Sequence, residues 1–376
     1  MSSREQPDTL TPAVPPGVAG AGTAARTRLS RRRRWAFVAV ALLIAILVPV
    51  GALAVIDIYL HTRFQRTGGV NVWGYRGPIA SRKRSGEKRV VMLGGSSAFG
   101  YGVSWSEAIP ARLETKLREA GERASVVNLA YNNEGAYSFK FTLDDYQYLD
   151  YDLALLYEGY NDLMGDPRGP NLSVFRHDSP LFRVTGYLPM FPLVFREKAA
   201  SVLHHGDINE WYDELRSGKK VVFDASLSDR AKAGALTATA AVGDAIQRQV
   251  GRISPQAPRS IATPSASGCP YPWAEYCQSV LTGIEFAVQH GKRALVVTQP
   301  YLLGKSGERH HQQQRAIADA VQRRFGSDPR VAYFDAGPTV DLSDPTVSFD
   351  RMHLTALGNE RVASALVGPV QGLLAK

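Results

Sequence analysis

From residue 88 onward, five short apolar runs alternate with stretches whose apolar residues recur at helical spacing. The runs are Lys88–Leu93, Ser125–Leu129, Leu153–Tyr157, Arg293–Thr298 and Val331–Asp335. Runs so short and so continuously apolar suit strands buried on both faces. Between the first two, residues 106–121 place Ile109, Leu113 and Leu117 on one helical face and end on Gly121. Tyr137–Leu149 and residues 231–250, 273–290, 308–325 and 355–374 also carry helical patterns. Strands alternating with helices predict an α/β fold. Its sheet would be parallel, covered on both faces and joined by right-handed crossovers.

The chain has 376 residues, 44% of them hydrophobic, enough for one large domain or two small ones. Its net charge of +9 would permit a nucleic-acid partner, but residues 1–34 alone hold seven arginines against Glu5 and Asp8. The rest of the surplus is diluted over the remaining chain, with no basic helix interleaved with aromatics, so no nucleic-acid partner is expected. Arg31–Arg34 abut residues 36–56, AFVAVALLIAILVPVGALAVI, which carry no charge. About 20 such residues cross a bilayer as a helix. The arginines place the N-terminus in the cytoplasm and the rest outside. The rival reading is a cleaved signal peptide with Ala52-Leu53-Ala54 as its site, leaving a secreted product. The expected organisation is a disordered basic cytoplasmic arm over 1–34, a transmembrane helix over 35–60 and a connector over 61–87. The α/β domain follows over 88–376.

That domain has one irregular part. Residues 163–230 hold Phe175, Phe182, Tyr187, Phe191, Phe195, Trp211 and Tyr212 among several prolines, too much for an ordinary βα connection. They read as an insertion over the functional end of the sheet or against the membrane surface, or as a structural subdomain. The only cysteines, Cys269 and Cys277, are expected to pair in an exported domain. The adjacent pairs His204-His205 and His310-His311 lack ligand spacing and read as surface residues, so no metal is expected.

Chemistry concentrates at the strand ends. Gly94-Gly95-Ser96 follows the first run, where ligands bind in open α/β sheets. Two phosphate motifs fail here. Tyr101 stands where a P-loop needs Lys, and the dinucleotide G-x-G-x-x-G is not met. The G-x-S-x-G elbow is half met, with Ala98 in place of its second glycine. A serine nucleophile needs a base and a carboxylate to orient it. Asp350-Arg351-Met352-His353 offers both, on one face of a turn. Asn161 follows the third run and can donate its amide to a developing oxyanion. Gly135, after the second, can offer its backbone N–H. Asp162 reads as structural, since one carboxylate is already supplied.

In this order, the motifs resemble the SGNH/GDSL hydrolase superfamily. Val91–Gly100 resembles its first block, with Gly95 where Asp often stands. Val126–Gly135 resembles the second, with Tyr131-Asn132-Asn133-Glu134 as extra residues before the glycine. Gly159-Tyr160-Asn161-Asp162 is similar to the third, and Asp350–Thr355 to the last. Asn71–Pro78 is also similar to membrane-anchored bacterial members. The resemblance implies a three-layer α/β/α sandwich with a flavodoxin-like five-stranded parallel sheet. It further implies Ser96 as nucleophile, His353 as base and Asp350 as its orienting partner. The Ser96 and Gly135 N–H groups and the Asn161 side chain would form the oxyanion hole. The expected activity is hydrolysis of a lipid ester or an O-acylated envelope glycan, without a metal or organic cofactor. An O-acyltransferase of the same fold and a non-catalytic envelope-assembly or glycan-binding protein are the alternatives.

Overall fold

The computed structural model describes residues 30–65, 68–163, 176–204, 206, 225–255 and 268–375. The expected arm, apart from its last residues, lies outside them, as do Phe175, Trp211, Tyr212 and His205.

Residues up to Ala52 form one unit and Leu53–Lys376 a second. Among the described residues, the first holds the part of helix α1 (Arg31–Phe64) up to Ala52, and the helix is long and apolar enough to cross a membrane. The second unit is built on five parallel strands: β1 (Lys88–Gly94), β2 (Ala124–Asn128), β3 (Leu153–Tyr157), β4 (Arg293–Val297) and β5 (Val331–Phe334). Their order is β2-β1-β3-β4-β5, the flavodoxin-like doubly wound arrangement. All of β3 is buried, whereas edge strand β5 is half-buried throughout. This gradient explains why the central runs are the most uniformly apolar.

Helices cover both faces, giving three layers. α3 (Ile109–Glu119) packs on α10 (Ala356–Leu374), and together they reach β2, β4 and β5. α4 (Phe139–Asp145) packs on α8 (Ala274–Gln289), with α9 (Glu308–Phe325) alongside. Leu113 and Leu117 of α3 are fully buried, as their spacing predicts. Each contributes roughly 1.5–3 kcal/mol of transfer free energy. Thr355 caps α10 by accepting the Gly358 N–H at 3.3 Å.

Two segments depart from the sequence reading, and a third, the insertion, gains definite elements. The stretch read as a connector is part of the folded body: Val70 and Tyr75 lie in the main core. Asn71 folds it into a tight turn, accepting from Trp73 N at 2.9 Å and donating to Gly77 O at 3.0 Å. α1 runs on past the apolar segment, and Asp57 and His61 of its last turns are buried. The Asp57 carboxylate accepts from Met190 N and Phe191 N at 2.8 and 2.6 Å and from the Tyr187 hydroxyl. His61 nitrogens lie 2.7 Å from Val70 O and 2.9 Å from Leu188 O. Third, the described parts of the insertion fold into α5 (Pro180–Thr185), α6 (Phe191–Leu203) and the start of α7 (Leu227–Ile253), with α6 against α7.

The histidine reading is corrected in part. His310 is 3% exposed and His204 is 6% exposed. His310 sits under the Tyr160 ring at 4.2 Å and contacts Gln314 Nε2 at 2.9 Å. Burial, aided by His311, lowers its pKa to about 4, so the ring is neutral. Adjacency in sequence gave no sign that one histidine of each pair would be buried.

Candidate active site

β1 and β3 are neighbours, with Gly94 in register with Tyr157. Successive connections leave this pair in opposite directions, so a crevice opens at their C-terminal ends. Ser96 emerges from β1 as the first residue of α2 (Ser96–Phe99), after Gly95. Glycine is required at 95 by close approach. An added Cβ would collide with the Asn161 amide nitrogen and fall 2.6 Å from Glu158 Oε2 and 2.9 Å from Glu134 O. That explains why no acidic side chain stands there. Asn128, at the end of β2, ties the Ser96 turn down by donating to Ala98 O and Phe99 O at 3.2 and 3.3 Å.

The loop before α10 brings His353 to the serine. His353 Nε2 lies 2.8 Å from Ser96 Oγ, and His353 Nδ1 lies 2.6 Å from Asp350 Oδ2. The other oxygen, Asp350 Oδ1, accepts from Met352 N at 3.0 Å and His353 N at 2.7 Å. One carboxylate thus orders the turn and orients the ring. Arg351, between them, takes a left-handed backbone with φ 65°, a strain of about 1 kcal/mol or more that the turn must hold. Burial pulls the Asp350 carboxyl up. The hydrogen bonds from the His353 ring and N–H outweigh it and leave the group below its ordinary value. An imidazole set between a hydroxyl and an ionised carboxylate can take the hydroxyl proton, while the carboxylate steadies the cation. Tyr101 and Phe349, both about half exposed, flank the His353 ring at 4.8 and 5.8 Å.

Asn161 lies in the single turn after β3, Tyr160–Asp162. Its Nδ2 donates to Glu134 O at 2.8 Å, and its backbone N donates to Glu158 Oε1 at 3.2 Å. A primary amide has two N–H bonds. One goes to Glu134, which fixes the plane and leaves the other for a ligand beside Ser96. Gly135 follows Glu134 directly, and its N–H faces the Tyr137 hydroxyl. A Cβ there would come 2.7 Å from Asp162 Oδ1, so glycine is needed for packing at this point. Asp162 accepts from Ala136 N at 2.9 Å, binding the second block to the third. The structure thus brings Ser96, His353, Asp350 and Asn161 together, with Gly135 at the edge of the same cluster.

Sequence reasoning missed the residues beneath. Glu158 is buried and accepts from Gly159 N at 2.8 Å. Burial, then the nearby Asp162 charge, raises its pKa. Asp162 is likewise raised by burial. Glu134 is buried too, with Arg176 and His177 against its carboxylate. The only signal for Glu158 was a charge at the end of an apolar strand. Elsewhere, Cys269 and Cys277 form a disulfide with Cα atoms 6.3 Å apart.

No family model matches the sequence, and no curated protein matches it. Solved structures similar to it include one from Desulfitobacterium hafniense DCB-2 named for the lipolytic G-D-S-L family. That likeness has 10% identity and a TM-score of 0.39, covering 75% of this chain and 98% of that one. The psychrotrophic esterase EstA from Pseudoalteromonas sp. is similar at 8% identity and a TM-score of 0.39, covering 77% and 100%. A family 3 carbohydrate esterase from Clostridium thermocellum is similar at 13% identity and a TM-score of 0.36, covering 77% and 98%. These scores fall below 0.5, so the chemistry assigned to the site rests on its own residues. Those residues, whose sequence motifs resemble the SGNH/GDSL hydrolases, lie at the C-terminal ends of the strands of a doubly wound five-stranded sheet.

Proposed function

We propose that the chain is a serine ester hydrolase, held at a membrane by α1 with its catalytic body on the extracytoplasmic side. The observation that carries this is the unbroken relay from Ser96 through His353 to Asp350, at 2.8 and 2.6 Å. Ser96 Oγ attacks the ester carbonyl as His353 Nε2 takes its proton. The tetrahedral oxyanion develops beside the free N–H of Asn161, where a fixed donor lowers the barrier. Collapse expels the alcohol, which takes the proton back from His353, and leaves an acyl group on Ser96. Water, activated by the same imidazole, then releases the acid.

The substrate is an ester of a lipid or an acyl group on an envelope glycan. The half-exposed rings of Tyr101 and Phe349 beside His353 offer a surface for either. The arginines before the apolar segment support an inward N-terminus.

The test is labelling of the full-length chain, in detergent, by a fluorophosphonate. Wild type should label and Ser96→Ala should not. Labelling retained in Ser96→Ala, or absent from folded wild type, would overturn the mechanism. A phosphatase fused after residue 70 should be active outside the cytoplasmic membrane. An inactive fusion, with a cytoplasmic reporter active at the same point, would overturn the orientation.

A further inference from the structure

The insertion contributes one side chain to the floor of the site. Arg176 is 1% exposed, and a buried guanidinium must be paired to be tolerated. Its Nη1 donates to Gly74 O at 2.9 Å. Its Nη2 donates to Leu129 O and lies 3.4 Å from both Glu134 Oε2 and Thr142 Oγ1. The ring of Tyr131 lies 5.2 Å and that of Tyr146 5.3 Å from its guanidinium carbon. Its neighbour His177 contacts Thr142 Oγ1 at 3.0 Å and Asp145 Oδ2 at 2.8 Å.

These partners converge on the loop after β2. Leu129 and Tyr131 open that loop and Glu134 closes it. Glu134 is held at both ends: its carboxylate faces Arg176 and His177, and its carbonyl accepts from Asn161 Nδ2 at 2.8 Å. The carbonyl sets the plane of the amide, and the plane aims the second N–H. Without Arg176 the buried Glu134 carboxylate would lose its guanidinium partner, and the loop would shift to solvate it.

We propose, resting on the serine-hydrolase reading, that Arg176 is a positioning residue: through Glu134 it aims the Asn161 amide at the oxyanion. The insertion is then part of the catalytic apparatus, although Arg176 itself touches no reacting atom.

A double-mutant cycle on the full-length chain in detergent tests this. It compares wild type, Arg176→Met, Asn161→Ala and the double variant on a short-chain aryl ester, with thermal melts alongside. Arg176→Met should lower kcat by about tenfold to a hundredfold, as expected for a misplaced group. KM should stay within about twofold, because the lost interaction belongs to the transition state. In the Asn161→Ala background the same substitution should cost kcat almost nothing, since the donor it aims is gone. Arg176→Lys keeps the charge but reaches fewer partners, so its kcat should fall between. If Arg176→Met does not fold, the Lys variant carries the cycle. Equal losses in both backgrounds, or no loss in a folded variant, would overturn the proposal. A folded wild type without Ser96-dependent hydrolysis would remove the hydrolase reading and this proposal with it. An active wild type without coupling would remove this proposal alone.

Discussion

His353 and Asn161 approach Ser96 from loops that are held in opposite ways. Asp350 and His353, three residues apart, define a turn closed on itself. Asp350 accepts from the Met352 and His353 N–H groups as well as facing the ring, and Phe349 N and Ser348 Oγ donate to His353 O at 3.2 and 3.0 Å. The pair is also partly in solvent: the Asp350 side chain is 41% exposed. Asn161 depends on partners remote in sequence, from Glu134 to Arg176, and those two side chains are 2% and 0% exposed. The base is thus fixed by local geometry, and the donor by packing and buried charge. Damage should therefore look different on the two sides. Lesions in the base loop should cost rate and leave stability alone, while lesions beneath the donor should cost both.

The largest effect lies where the two sides meet. Ser96→Ala should reduce hydrolysis by roughly 10⁴–10⁶, because neither side acts without the nucleophile. Ser97→Ala should keep substantial activity, and the reverse pattern in steady-state assays would misplace the nucleophile. On the base side, Asp350→Asn should lower kcat by about 10²–10⁴ through a misoriented ring. Its melting temperature should change little, since the carboxylate is half in water. A large fall in melting temperature would break the contrast.

On the donor side, Asn161→Ala should lower kcat by roughly 10²–10³ with little change in KM. An unchanged kcat in a folded Asn161→Ala protein would remove it from the oxyanion site. The smallest effect concerns the carboxyls below it. The folded state raises the pKa of Glu158 and Asp162. It therefore binds more protons than the unfolded chain, and stability falls as pH rises above the ordinary carboxylate value of about 4. The loss is complete once both groups have ionised in the folded state. Glu158→Gln and Asp162→Asn should each flatten that decline, read as melting temperature against pH. Curves parallel to wild type would mean that these two carboxyls do not govern the pH response.

The same contrast sorts what the sequence revealed. Asp350 and His353 are legible because their interaction spans one turn, so spacing alone puts them on one face. The strands are legible because burial on both faces makes them continuous apolar runs, and Ser96 and Asn161 inherit their place from the strands they follow. Nothing local marks Arg176. Its partners come from Gly74, Leu129 and Glu134, which only the folded chain gathers. Gly95 was noticed as a departure from an acidic residue, but the reason, the Asn161 amide pressed against it, lies in another block. The connector was misread for a similar cause. Tyr75 and Val70 are isolated apolar residues among glycines, without a period to show that they enter the core.

The burial of Asp57 and His61 sets a limit on how a soluble version of this protein can be cut. A truncation at residue 62 looks natural from the hydropathy profile, yet it would remove both side chains. The Met190 and Phe191 amides and the Val70 and Leu188 carbonyls would lose their partners. Orphaned buried groups cost about 1–3 kcal/mol each, enough to turn a well-behaved domain into an aggregating one. The workable cut falls upstream of Asp57, so that a fragment freed from the apolar segment keeps the last two turns of the helix as a plug for its own underside.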